Sequence, residues 1–355
     1  MSSSTTPRQL SVVAIGGGTG LSTLLRGLKR YVPTPRSSPS YQSGVRPSVS
    51  SDSSLACLIR RLSAIVTVTD DGGSSGRLRE ELNMLPPGDV RNCMVALSED
   101  EHLLSQLFQY RFSQGDLQGH NFGNLFVAAL SGITGDFAQA VQLSSQILAI
   151  RGRIYPSTTA NATLTARMDD GSLVEGETSI TASRKTIAEL MLSPANAAPL
   201  PETLAAIASA DLITLGPGSL YTSLITNLLV RGIPEALAAS RATRVYICNL
   251  MTQANESLGF SASQHIEKIF GHAGHKIFDY ALVNTAPILP ATLAQYAREA
   301  QMPIEPDLDR IRALGVEPIT GNFVHEGEVL RHDYDRATQA VLQLAMSRSA
   351  LKKSA

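Results

Sequence analysis

Asp70 and Asp71 stand side by side in the run AIVTVTDDGGSSGRLR, Ala64 to Arg79, followed by Gly72, Gly73, Ser74, Ser75 and Gly76, then Arg77 and Arg79. These residue types at this spacing suit a phosphorylated ligand. Glycines let a backbone approach a ligand closely and offer N–H groups with no side chain in the way. Arg77 can add a charge-assisted, two-pronged contact to a phosphate. Asp70 and Asp71 can hold Mg²⁺ or accept hydrogen bonds from a ribose. The plain alternative is a polar glycine turn that only reverses the chain.

Five further stretches carry polar or glycine residues at places where ligands bind. Gly16-Gly17-Gly18-Thr19-Gly20-Leu21 follows an apolar run and precedes a helical pattern, so Gly17 to Gly20 can present helix N-terminal N–H groups to a phosphate. The spacing is neither GxGxxG nor a P-loop, and the loop can equally be a structural turn. PPGDVRN, Pro86 to Asn92, offers Asp89, Arg91 and Asn92 from a rigid turn at a helix start, where Asp89 can also serve as N-cap. GHNFGN, Gly119 to Asn124, places His120 and Asn124 at a helix entrance. In the last two stretches, Leu215 to Ser223 brings Gly216, Gly218, Ser219 and Thr222, and the end of RVYICN brings Asn249, Thr252, Gln253 and Glu256.

The elements that must position these residues read as an α/β protein. Strands are expected at Leu10–Ile15, Ala64–Val68, Asp211–Leu215, Arg244–Asn249 and Phe278–Val283, with helices over 22–31, 101–112, 136–148, 201–209, 224–230, 263–270 and 334–346. Polar loops recurring after strands and before helices favour one convergent cleft at the carboxyl ends of a mainly parallel sheet. Residues 151–181 alternate in polarity around Asp169-Asp170-Gly171 and read as an appended β-hairpin region. A single domain is expected over 10–336, with a mobile tail at 1–9, a Pro/Ser-rich disordered insertion at 33–54 and a C-terminal helix and tail at 337–355.

Composition narrows the function classes. Net charge is −1, so no overall field draws nucleic acid or an anionic membrane. No apolar run approaches the ~20 residues that span a bilayer. The three cysteines, Cys57, Cys93 and Cys248, form no CxxC pair, which suits a reducing cytoplasm and suggests neither a disulfide framework nor zinc. No Ser-His-Asp set is readable, and the missing GxGxxG argues against NAD.

The motifs GGGTGL, VTDDGGSSGRLR, PPGDVRN, GHNFGN, RGRIYP (Arg151–Pro156), LGPGSLYTS and CNLMTQ (Cys248–Gln253), in this order, resemble the YvcK/CofD-like family, also called gluconeogenesis factors. The resemblance runs from about Leu10 to Arg336. It implies a three-layer, Rossmann-like α/β fold akin to the 2-phospho-L-lactate transferases, with a nucleotide-linked ligand in the cleft.

Two branches of that family imply two functions. The YvcK-like branch, to which GGGTGL, DDGGSSGRLR and MTQ are closer, implies a cytoplasmic regulator. It would bind a nucleotide sugar such as UDP-N-acetylglucosamine and serve cell shape and envelope synthesis during gluconeogenic growth. The transferase branch implies Mg²⁺-dependent transfer of a phospho-group from a nucleotide-linked donor to an acceptor hydroxyl, with Asp70 and Asp71 as metal-binding and catalytic candidates. A homo-oligomer is compatible with either. The chain departs from the YvcK-like pattern after MTQ, where it reads Ala254-Asn255-Glu256-Ser257, Gly259-Phe260 and Gln264-His265 in place of Gly-Glu-Thr, Gly-Tyr and Asp-His. Gln295-Tyr296 stands where Arg-Tyr is expected. These departures imply altered nucleotide-sugar binding.

Overall fold

In the computed structural model of the chain, residues 9–33, 58–99, 103–183 and 185–354 are described. The expected tail at 1–9 and insertion at 33–54 lie outside these residues, apart from Gln9 and Pro33.

The apolar run at the start of the described chain forms strand β1 (Leu10–Gly16), buried along its whole length. Its side chains alternate between two cores. Leu10, Val12 and Ala14 enter one, and Val13 and Ile15 enter the other. A strand buried on both faces needs apolar residues at every position, which is why its sequence shows no alternation.

Around it lie β2 (Ile59–Val66), β3 (Arg153–Pro156), β7 (Leu212–Leu215), β8 (Thr243–Ile247), β9 (Tyr280–Asn284) and β10 (Glu317–Gly321). The central sheet has seven strands in the order β10-β9-β8-β7-β1-β2-β3, and every pairing within it is parallel. From β1 the chain runs outward through β2 to β3. It then returns to the other side of β1 at β7 and runs outward again to β10.

Helices cover both faces. On the first lie α1 (Gly18–Lys29), α2 (Gly73–Leu82), α3 (Gly88–Leu97) and α4 (Phe122–Thr134). Leu21, Leu24, Leu25 and Leu28 of α1 follow the 3.6-residue period and are fully buried. At about 1.5–3 kcal/mol each, that stripe fixes α1 on the sheet. The C-terminal helix 334–354 closes the same core through Ala337, Val341, Leu342 and Ala345.

The stretch 151–181 divides into two parts that its alternating polarity alone does not separate. β3 joins the central sheet, whereas β4 (Thr163–Met168) and β5 (Leu173–Glu175) form the hairpin. The hairpin recruits β6 (Ile187–Ser193) as a third antiparallel strand. This small sheet carries α5 (Glu177–Ala182), and its inner face, with Leu164, Ala166 and Leu190, belongs to the second core. On the same side lies α6 (Ala262–Ala273), begun by a capping box of Ser261 and Gln264. A further short antiparallel pair, β11 (Val324–His325) with β12 (Arg331–His332), precedes the C-terminal helix, here α7 (Tyr334–Ser354).

Two local expectations are corrected. Pro87, not Asp89, occupies the N-cap of α3, leaving the Asp89 side chain free to turn elsewhere. After β7 the chain forms a π-helical turn, Leu220–Ile225, before a short α-helix at Thr226–Leu228. There the N–H groups of Ser223 and Leu224 both donate to the Ser219 carbonyl, at 3.1 and 3.0 Å.

Two glycine substitutions separate close approach from open space. A Cβ on Gly20 would collide with the backbone carbonyl of Pro217, whereas one on Gly271, inside α6, would meet nothing within 4 Å. Gly20→Ala is expected to lower stability by about 1–3 kcal/mol through overpacking. Gly271→Ala is expected to raise it by about 0.5–1 kcal/mol through helix propensity. Thermal melts of the two variants check both signs.

Candidate active site at the sheet switch point

The chain leaves β1 in one direction and re-enters beside it at β7, so the carboxyl ends of these strands open a crevice between two loops. Gly17, Gly18, Thr19 and Gly20 form the first loop and the start of α1. Gly216-Pro217-Gly218-Ser219 forms the second. Gly216 adopts φ +87°, a left-handed turn that an L side chain disfavours. The loops meet backbone to backbone, with Gly20 against Pro217 and Gly218.

A cavity of about 350 Å³ lies over this junction, lined by both loops and by the segment 249–254. Asn249 donates through Nδ2 to the Gly218 carbonyl at 2.8 Å and accepts from the Gly218 N–H at 3.3 Å, which holds the second loop in place. Gln253 donates from Nε2 to the Ser219 hydroxyl at 2.9 Å, placing an amide and a hydroxyl in the cavity wall. Thr252 is buried and exchanges hydrogen bonds with the Met302 backbone, so it positions the wall. Glu256 and Thr222 lie deeper. Glu256 accepts from the Tyr221 N–H and the Thr222 hydroxyl and anchors the π-helical turn.

Carboxylates stand on the other side of the first loop. Asp89 accepts from the Gly18 N–H, and its carboxyl is pushed up to about 6, first by burial and then by Asp70. Glu177, at the start of α5, is half-buried and accepts from the Thr69 hydroxyl at 3.2 Å. Burial, Asp70 and Asp89 together hold its carboxyl well above the usual range. The sequence gives Glu177 no local signal, because it comes from the small sheet more than a hundred residues after Asp70.

The two adjacent aspartates differ. Asp70 accepts only the Gly72 N–H, at 2.9 Å, in a short local turn. Asp71 accepts from both the N–H and the hydroxyl of Thr178, at 2.8 and 2.5 Å, and so ties the loop after β2 to α5. Among the described residues no three His, Cys, Asp or Glu side chains gather as a group that could hold a metal.

The remaining expected site residues separate into two places. Ser74, His120 and Asn124 join α2 to α4. The Ser74 hydroxyl accepts the Asn121 N–H and lies 3.2 Å from His120 Nδ1, while the Asn121 side chain caps α4 at the Asn124 N–H. Burial and the Arg77 charge lower the His120 pKa, which favours the neutral ring. Arg77 donates to the Gln118 carbonyl at 2.9 Å and braces this junction, outside the cavity. Gly72 and Gly73 start α2, whose first turn buries Ser75. Arg91 and Asn92 face a second cavity, which they line together with Thr19. Cys93 and Cys248 are buried, and burial pushes both thiols up, Cys248 to about 12, as expected of core residues.

Comparisons with known proteins agree with this architecture. The family model described as 2-phospho-L-lactate transferase CofD matches residues 12–324. A gluconeogenesis factor of Halalkalibacterium halodurans is 46% identical over 338 residues, covering 95% of this chain and 97% of the relative. The gluconeogenesis factor of Bacillus subtilis is 42% identical over 335 residues, covering 94% and 97%. The crystal structure of a UPF0052-family protein from Bacillus halodurans superposes with a TM-score of 0.85 at 46% identity, covering 94% of this chain and 99% of that one. The chain belongs to the CofD family.

Proposed function

We propose that the protein binds a nucleotide sugar, of the UDP-N-acetylglucosamine type, in the cleft between the two glycine loops. In this reading it acts in the cytoplasm as a regulator that couples envelope synthesis and cell shape to gluconeogenic growth. The observation that carries the reading is the switch-point cavity, lined by the glycine loop Gly17–Gly20 together with Ser219 and Gln253. A glycine loop at a helix start suits a diphosphate, and the amide and hydroxyl suit a base or sugar. The name gluconeogenesis factor on the relatives supports the regulatory part.

Phe260, where the family pattern has Tyr, packs edge-on against His265 and does not line the cavity. Tyr296 does line it, with its hydroxyl accepting the Leu330 N–H at 3.1 Å. The departures at 260 and 295 therefore bear on the rim of the cleft more than on the glycine loops.

The carboxylates favour a second reading, Mg²⁺-dependent transfer from a nucleotide-linked donor. Mg²⁺ is held by one or two carboxylates with the remainder from substrate phosphates and water. Asp70 and Asp89 fit that role, since their mutual repulsion is what a cation relieves. Asp71 fits less well, because its Oδ1 already accepts two bonds from Thr178. When bound, the ion would neutralise charge on the departing nucleotide phosphate.

Calorimetric titration with UDP-N-acetylglucosamine, GDP and NAD, each with and without Mg²⁺, tests the two readings. The regulator reading expects Mg²⁺-independent binding of the UDP-sugar, weakened about tenfold by Gln253→Ala, the loss of one good hydrogen bond. Binding of GDP only with Mg²⁺ would replace it by the transferase reading.

A pH series tests the carboxylate strain. Asp89 titrates at about 6 in the folded chain against an ordinary 3.8, so the folded state holds its proton more tightly. Its contribution to stability is therefore lost as pH rises from about 4 to 6, by on the order of 2–3 kcal/mol. Asp89→Asn is expected to match the wild type at pH 4 and exceed it at pH 7 in urea unfolding. Equal stability at pH 7 would show that the buried charge carries no strain.

A further inference from the structure

Beside the nucleotide cleft lies a second cavity, of about 460 Å³, with an unusual charge. Four arginines from four separate elements line it: Arg26 of α1, Arg91 of α3, Arg111 after the helix at Leu103–Gln109, and Arg331 of β12. Among the described residues no carboxylate lines it. Among the described residues none of the four arginines is in an ion pair.

Arg91 is held most firmly. Its Cγ and Cδ fill the space beside Gly123, and its Nη2 donates to Asn92 Oδ1 at 2.6 Å. Its Nε is buried without a partner. Burial and the neighbouring Arg111 disfavour its charge. Arg111 makes one side-chain bond, to the Gly119 carbonyl. His332, between the two cavities, stays neutral at physiological pH, since burial takes it down to about 4, and it hydrogen-bonds the Cys248 carbonyl.

Four like charges converging on one hollow repel one another and leave donors unused, which costs stability unless an anion occupies it. A concave surface of one sign also focuses its field and draws anions in. The two cavities share Thr19, Thr23, Arg331 and His332, but each has its own volume and its own donors. A nucleotide sugar seated on the glycine loops fills the first and leaves Arg26, Arg91 and Arg111 without an ion-pair partner among the described residues, Asp89 and Asp70 acting on Arg91 only at a distance. We infer that this arginine-lined cavity is a second ligand site, for a small molecule bearing a phosphate or diphosphate, occupied together with the nucleotide cleft. The guanidinium forks suit paired phosphate oxygens, and Thr19 and Thr23 supply hydroxyls at the border with the first cavity.

Inorganic pyrophosphate serves as the probe, in calorimetric titrations of the full chain at low salt. Wild type is expected to bind it with an affinity that falls as KCl is raised, and to bind it still when UDP-N-acetylglucosamine is saturating. Arg26→Gln with Arg111→Gln, both on exposed side chains, is expected to weaken pyrophosphate at least tenfold and leave UDP-sugar affinity within twofold. Gln253→Ala is expected to do the reverse. Displacement of pyrophosphate by the UDP-sugar, or an unchanged pyrophosphate affinity in the double variant, overturns the second site. If the UDP-sugar fails to bind at all, the nucleotide-sugar reading fails, while pyrophosphate binding that depends on Arg26 and Arg111 still upholds this one.

Discussion

The contact on which the rest depends is the meeting of two backbones at the mouth of the sheet. Gly20 lies against Pro217 and Gly218 with no side chain between them. That approach needs β1 and β7 adjacent and parallel, with helices departing from both. It also needs Asn249, which mimics a peptide group and pins Gly218 from the third strand of the series. With the loops so joined, the direction of α1 is set, and with it the positions of Thr19, Thr23 and Arg26. A side chain at the junction would push α1 off the leucine stripe that seats it.

The same loop divides the site electrically. On one side burial, joined by the Asp70 charge, holds the carboxyls of Asp89 and Glu177 above their ordinary range. On the other, Arg26, Arg91, Arg111 and Arg331 surround a hollow with no acid among the described residues of its lining. Arg91 and Asp89 are neighbours on α3, one residue apart from the same turn of helix, yet they form no ion pair. Asp89 is taken up by the Gly18 N–H, and Arg91 by Asn92. Leaving such charges unpaired within reach of each other is unfavourable for the empty protein. It is understandable where ligands bring both signs, phosphates on one side and a cation on the other.

This division explains which parts of the site were readable in the chain and which were not. β1 and the glycine loop after it were legible because they are local: an apolar run broken only by Ser11, then a loop that only a backbone contact or a helix start would select. Asn249 and Gln253 were legible for the same reason, lying at a strand end. Glu177 was not, because nothing in VEGETS distinguishes a half-buried acid from a turn residue, and only the docking of the small sheet brings it to Asp70. Asp71 is the complementary case. Its neighbour in sequence is Asp70, but its partner in space is Thr178. The arginine hollow left no trace, since its members sit far apart among ordinary surface positions. A net charge of −1 averages it away.

The two proposed readings, transferase and regulator, rest on the same glycine loops. In either, those loops would contact phosphate through backbone atoms, so substitution elsewhere would leave that contact intact. Side chains decide the fate of the bound ligand. In the proposed transferase reading Asp70 and Asp89 would hold a cation that neutralises charge on a bound phosphate. In the proposed regulator reading the same cleft would only bind its ligand. Asp71, turned toward α5, links the loop after β2 to the small sheet rather than to a metal. The loop that carries Asp70 is therefore tied to α5, with Glu177 at its start. Under the proposed regulator reading, that tie would link the cleft to the small sheet.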